Sequence, residues 1–269
     1  MKLFGAKSKR MRIGVALSGG GARGFAHVGV LKAMEEFGIK PDIIAGVSAG
    51  SVAAVMYAAG LKPDDVLKYF SEVKFSDLCE LSIPKDGFFK LDGFKAFLAK
   101  HLPYEKLEEL PIPTLVCATE LDAGTYKIFS EGKIVDRVAA SCCIPIIFKP
   151  VRIDGINYVD GGVLHNLPAR AIREQCDFLI GVNCSPLRPE HRKTKSTIID
   201  VATRSYMLMS KNNAEPDMEM CDLVIQTKDI ADYKAFNLKE IKLVYMSGYG
   251  SAIETLSAAG YTHLPSEQP

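Results

Sequence analysis

The chain has 269 residues, 48% of them hydrophobic and 24% charged, with a formal net charge of +1. That is the composition of a globular protein with ample material for a core, in one large domain or two small ones. The near-neutral balance, with no basic stripe interleaved with aromatics, argues against a nucleic-acid partner.

Residues 11–17 (MRIGVAL) read as a short buried strand of parallel type, and 18–24 (SGGGARG) as a glycine-rich turn. Phe25, Val28, Leu31, Met34 and Phe37 recur at helical spacing, and Gly38 is a stop signal. Residues 42–45 form a second strand, and a second helix opens at Ser48. Strand, helix, strand, helix at the start of a chain predicts a parallel sheet with helices on both faces. Pro63, followed by Asp64 and Asp65, starts a third helix. Residues 75–90 read as irregular and aromatic. Phe75, Phe88, Phe89, Phe94 and Phe97 are candidates for plain core, and otherwise for an acyl pocket or a membrane-facing lid.

A short helix at 92–101 comes next, then a strand at 114–120 that turns through Asp122-Ala123-Gly124 into 125–130. Residues 135–142 are helical and end before Pro145. Asp154-Gly155, between VRI and NYV, predicts a hairpin. Pro168 starts a helix reaching Cys176, and 178–183 and 222–226 are strands. Residues 197–212 and 238–259 are long helices, and the polar stretch 188–195 is a surface loop. The expected architecture is a three-layer α/β/α domain with a mostly parallel central sheet over 11–262, between a basic tail at 1–10 and a C-terminal tail at 263–269.

The seven cysteines include no C-x-x-C pair, and the adjacent Cys142 and Cys143 cannot form an ordinary structural bridge. Cys117 and Cys184 sit in apolar runs, where free thiols behave as small hydrophobes. A reducing, cytoplasmic compartment is the simplest expectation. No run of about 18 apolar residues predicts a membrane span, and no apolar segment follows Lys2, Lys7, Lys9 and Arg10 to make a signal peptide. Peripheral contact at the inner face of a membrane stays open, as does oligomeric state.

Gly46-Val47-Ser48-Ala49-Gly50 reads G-x-S-x-G directly after the apolar run Ile43-Ile44-Ala45. About one chain in ten of this length would carry that pattern by chance, so the context decides its meaning. A strand before and a small-residue helix after can lift one hydroxyl at a sharp turn, with Gly46 and Gly50 letting the backbone close up. Serine is also a good helix N-cap, so Ser48 alone leaves both roles open. Gly19, Gly21 and Gly24 match G-x-G-x-x-G, the dinucleotide fingerprint. The ribose-binding acid is missing, however: Glu35 and Glu36 fall inside the first helix, and Asp42 precedes its strand. No Gly-Lys-Ser/Thr follows to make a phosphate loop. An oxyanion hole facing Ser48 is the remaining role, worth roughly 3–4 kcal/mol of transition-state stabilisation.

The base is less defined. His101, His165, His191 and His263 follow Ser48; His191 lies in the charged stretch and His263 in the tail. His165 stands just after Asp160-Gly161-Gly162, which ends the second hairpin and is itself readable as a turn.

Taken together, S-G-G-G-A-R-G, G-V-S-A-G, A-S-x-x-x-P (Ala140 to Pro145) and D-G-G resemble the patatin-like phospholipases across roughly residues 12 to 185. The resemblance implies a Ser48–Asp160 dyad with no histidine. It also implies an oxyanion hole at Gly19, Gly20 and Gly21 with Arg23 adjacent, and Gly161 and Gly162 supporting Asp160. It implies acyl esters of lipids as substrates, with no metal or other cofactor. A carboxylate of pKa near 4 is a weak base for an alcohol, and burial beside an apolar pocket would strengthen it. A thioesterase or soluble-ester esterase is the neighbouring expectation. A non-catalytic lipid-binding module is the alternative from another class. Beyond residue 190 no motif is matched.

Overall fold

Five apolar runs lie side by side and point the same way: β1 (Ile13–Leu17), β2 (Ile43–Val47), β5 (Thr114–Glu120), β9 (Phe178–Asn183) and β10 (Leu223–Gln226). In the computed structural model, which describes residues 10–82, 88–187, 197–227, 229–230, 233 and 238–264, they run in the order β10-β9-β1-β2-β5. Three more strands join β5 antiparallel to it or to one another: β6 (Thr125–Phe129), β7 (Val151–Ile153) and β8 (Ile156–Asp160).

The side-chain alternation of strands sorts these residues into two cores. Val15, Leu17, Ile44, Val116 and Ala118 enter one, while Ala16, Ile43, Ala45, Leu115 and Cys117 enter the other. The first core is covered by α1 (Phe25–Glu36), α2 (Ala49–Ala58), α3 (Pro63–Ser71), α5 (Asp92–His101), α6 (Ile134–Ser141) and α9 (Ile241–Ala258). The second is covered by the short α7 (Ala169–Ile172) and by α8 (Ile198–Met218). The fold is therefore a mixed, mostly parallel sheet between helical layers, as the sequence predicts.

The register places the motifs. Along one edge of β5, Val47 pairs with Cys117, and the next β5 residue, Ala118, pairs with Asp160. The strand that ends at Ser48 and the strand that ends at Asp160 thus meet the same edge one residue apart, about 3.3 Å along the strand.

Several elements differ from expectation. α8 continues past Asn212 to Met218, with Pro216 inside its last turn. Burial of Ala214 and Asp217 holds that extra length against the proline. The helix after Pro168 tightens into a 3-10 turn at Arg173–Gln175. Residues 75–90 hold a short helix, α4 (Phe75–Leu78), and a two-stranded ribbon of β3 (Glu80–Leu81) with β4 (Phe89–Lys90). The expected loop at 188–195, with His191, lies outside the described residues, as do residues 1–9 of the basic tail. Among the described residues, no helix is long and apolar enough to cross a membrane.

Candidate active site

Ser48 stands between the end of β2 and the start of α2 with φ 52° and ψ −126°. A non-glycine residue in that region is strained by about 1–3 kcal/mol and must be held there. The holding contacts are on both sides of it. Its N–H donates to Ser141 Oγ at 2.8 Å, and its carbonyl accepts from Ser51 N at 2.9 Å and Ser51 Oγ at 2.7 Å. Ser141 Oγ in turn donates to the Cys117 carbonyl at 2.6 Å, which ties the turn to β5. The serine of A-S-x-x-x-P, which had no assigned role in the sequence, is therefore the clamp on the Ser48 turn. Glycines are required here: a Cβ on Gly46 would lie 2.5 Å from the Gly50 backbone, and one on Gly50 2.2 Å from the Leu17 carbonyl.

Asp160 is fully buried. Its Oδ1 accepts from Gly162 N at 2.9 Å. Its Oδ2 accepts no hydrogen bond of ordinary geometry. Burial pushes its pKa up to about 6, opposed by the Gly162 amide and by the hydroxyls of Ser48 and Tyr206 standing near the carboxylate. Ser48 and Tyr206 therefore act on Asp160 from just outside normal hydrogen-bond geometry.

The glycine loop is pinned at its first residue. Gly19 N–H donates to the Asn166 carbonyl at 3.0 Å, so it is not free to bind an oxyanion. Arg23 N–H is likewise spent on the Gly20 carbonyl at 3.2 Å. The Arg23 side chain donates to the Tyr233 and Pro186 carbonyls at 2.7 and 3.3 Å. The Gly19 and Arg23 amides are thus both engaged within the scaffold. Gly20 and Gly21 line the cleft beside Ser48, and their amides donate to no other described residue. His27, fully buried, donates from Nε2 to the Ser18 carbonyl at 2.7 Å and fixes the loop from behind; burial lowers its pKa to about 4, so it stays neutral.

Two cavities meet at Ser48. One is apolar, about 140 Å³, and runs between Phe25, Val28, Phe70, Phe94, Phe148 and Leu238. Of the phenylalanines singled out in the sequence, Phe94 lines it. Phe97 packs behind it on Phe70 with ring centroids 4.7 Å apart, and Phe89 lies 6.4 Å from Phe148. The second cavity, about 40 Å³, is more polar and carries Gly20, Gly21, Arg23, Asn166, Ser185 and, from α8, Tyr206 and Ser210. Asn166, Ser185, Tyr206 and Ser210 were not readable as site residues, because nothing local in the sequence marks them.

The other described histidines are occupied elsewhere. His165 Nδ1 lies 3.1 Å from Asp217, which also receives Arg170 Nε at 2.8 Å, and the His165 ring meets Tyr126 edge-on. His101 stacks on Tyr69 and Phe97, and His263 on Phe37. Cys142 lines the apolar cavity, and burial raises its thiol well above the ordinary range. Among the described residues, no cluster of histidine, cysteine, aspartate or glutamate could hold a metal ion.

The chain resembles known proteins along most of its length. A 167-residue stretch is 34% identical to an uncharacterized NTE family protein of Mycobacterium bovis, covering 61% of this chain and 46% of that one. A second such protein from the same organism is 28% identical over 252 residues, 90% of this chain and 42% of the relative. Mouse patatin-like phospholipase domain-containing protein 6 is 30% identical over 169 residues, 60% of this chain and 12% of the mouse protein. The chain thus spans less than half the length of these curated relatives. The crystal structure of VipD from Legionella pneumophila shares the fold, with a TM-score of 0.52 at 15% identity over 93% of this chain and 67% of that one. Residues 15–172 match the family model for patatin-like phospholipases, well over half of the chain, and the chain belongs to that family.

Proposed function

We propose that the protein is a serine hydrolase of lipid acyl esters, with Ser48 as nucleophile, Asp160 as general base and the Gly20 and Gly21 amides as oxyanion donors. The observation that carries this reading is the meeting of β2 and β8 on one edge of β5, which sets a strained serine beside a buried carboxylate with an unfilled oxygen. Asp160 takes the Ser48 proton as Oγ attacks the ester carbonyl. The carbonyl oxygen gains charge facing the glycine loop and the N-terminus of α2, whose dipole favours it. Asp160 then protonates the leaving alcohol, and Ser48 keeps the acyl group. Water, deprotonated by Asp160, attacks that ester, and Asp160 returns the proton to Ser48 Oγ as the fatty acid leaves.

The apolar cavity suits the acyl chain and the polar one the leaving alcohol. The outward side of α8 carries Ile198, Val201 and Leu208, exposed by 80, 53 and 46%. The same helix contributes Tyr206 and Ser210 to the polar cleft, which supports peripheral docking of the helix on a lipid surface. Residues 11–262 act as one catalytic unit in this reading.

The test is labelling with an alkyl fluorophosphonate and mapping of the modified residue, followed by a panel of phospholipid, lysophospholipid, acylglycerol, thioester and short soluble esters. The expected label is on Ser48, with turnover of lipid esters that Ser48→Ala abolishes and His165→Ala largely keeps. Turnover by folded Ser48→Ala would end the proposal. Labelling with hydrolysis of thioesters or soluble esters alone would move the substrate class. Lipid binding with neither labelling nor turnover would point to a binding module.

A further inference from the structure

Tyr206 lies on α8, 34 residues beyond the end of the family match at 172. The structure nevertheless brings it to Asp160. A Cβ built on Gly162 would lie 2.5 Å from Tyr206 Oη and 3.1 Å from Ser210 Oγ, so the phenol rests directly on the D-G-G turn. Ser210 Oγ donates to the Gly162 carbonyl at 3.0 Å and locks the helix to that turn. Asn213 Nδ2 donates to the Val163 carbonyl at 2.7 Å one turn further on. Glycine at 162 therefore has a purpose beyond backbone bending: any side chain there would displace the phenol. Tyr206 also lines the polar cleft with Ser48.

We propose that Tyr206 is a positioning residue for the hydrolysis: its hydroxyl donates toward the Asp160 carboxylate, fixes its rotamer and favours its charged, proton-accepting form. This rests on the Ser48–Asp160 reading above. Two hydroxyls, Ser48 and Tyr206, face one carboxylate whose Oδ2 has no conventional donor. When Ser48 surrenders its proton, the Tyr206 donor stays and keeps the carboxyl aimed at Oγ for the return transfer.

The other groups around Asp160 do not compete. Cys142 and Cys143, from the turn after α6, have thiols pushed well above neutral pH by burial, Cys143 to about 12. Cys117 on β5 is likewise pushed up to about 12. The Arg23 guanidinium across the cleft is held by carbonyls, and Asp217, further along α8, is bound by Arg170 and His165. Tyr206 itself is raised well above the ordinary phenol range, by burial first and then by Asp160, so it remains a donor throughout.

The experiment follows the pH dependence of Ser48 labelling by an alkyl fluorophosphonate in the full chain. A hydrogen bond to a charged group contributes enough that Tyr206→Phe is expected to move the acid limb up by about one pH unit. Placing 3-fluorotyrosine, a stronger donor, at position 206 is expected to move it down. An acid limb that stays put in both variants, with labelling otherwise normal, would reduce Tyr206 to packing and leave the dyad untouched. Absence of Ser48 labelling in the parent protein would instead overturn the reading on which this inference rests. Should Tyr206→Phe fail to fold, the fluorotyrosine protein decides alone: a downward shift supports the role and no shift overturns it.

Discussion

Asp160 is a carboxylate that folding moves out of water, and its pKa rises from 3.8 to about 6 in doing so. The folded protein therefore holds that proton more tightly than the unfolded chain. For this one group, stability is greatest below about pH 4 and declines as pH climbs through 6, by on the order of 3 kcal/mol once the carboxyl is fully ionised. Asp160→Asn removes that charge while its side-chain oxygen can still accept from Gly162 N. It is expected to be inactive in ester hydrolysis yet more resistant to urea than the parent at pH 7.5, with the two denaturation midpoints converging near pH 4. An equally stable or weaker Asn variant at pH 7.5 would contradict the burial account. With Asp160 as the proposed base, hydrolysis by the parent is expected to rise with pH through about 6, as the carboxylate forms. His165 offers no such switch at Ser48, because Asp217 and Tyr126 hold its ring elsewhere.

The turn between β2 and α2 is an element whose shape is imposed from outside. Ser141, on α6, satisfies the Ser48 N–H and the Cys117 carbonyl with one hydroxyl. Ser141→Ala leaves a buried donor and a buried acceptor unmatched and is expected to lower unfolding stability by about 2–3 kcal/mol. It should also slow Ser48 labelling at temperatures well below the melting point. Loss of stability with an unchanged labelling rate would show that the strained turn survives without its clamp. Strands such as β5 and β9, and the helix α5, carry the boundaries that the sequence predicts, because periodicity and flanking turn residues are local signals. The Asp154-Gly155 hairpin is equally local: both residues have positive φ, 50° and 86°, as the turn requires. Ser48, Asp160 and the glycine loop stand out through motif residues. What the sequence did not reveal is non-local. The Gly19 amide is lost to Asn166, 147 positions away, and Tyr206 reaches Asp160 only because α8 packs across the D-G-G turn. The added turns of α8 past Asn212 likewise depend on burial of Ala214 and Asp217, which no propensity scale contains.

Across the whole molecule, the last helix closes against the first. A Cβ on Gly29 of α1 would lie 2.1 Å from the Tyr245 carbonyl, and one on Gly248 of α9 2.1 Å from the Ala26 carbonyl, so the two backbones touch. Tyr249 and Tyr245 add hydrogen bonds to Glu36 and Asp64 at 2.6 and 2.9 Å. This anchors the layer that walls the apolar cavity, while α8 on the opposite layer presents Ile198, Val201 and Leu208 outward. Replacing Ile198 and Val201 by Asp is expected to reduce binding to phospholipid vesicles in sedimentation, and hydrolysis of vesicle lipid with it. Cleavage of a short soluble ester should be unchanged. Unaltered sedimentation would remove α8 as the docking face. The shared edge of β5 has a consequence for how such a chain can vary. Ser48 and Asp160, the proposed nucleophile and base, are indexed by adjacent rungs of two ladders on that edge, so their spacing is inherited from strand pairing and is insulated from the loops. Residues added at the Asp154-Gly155 tip lengthen a hairpin whose far end is unmoved, and labelling of Ser48 should tolerate them. One residue added within β8 between Tyr158 and Asp160 shifts the rungs by one and turns the carboxyl to the opposite side of the sheet. Survival of hydrolysis after that insertion would mean that the spacing is not set by the ladder.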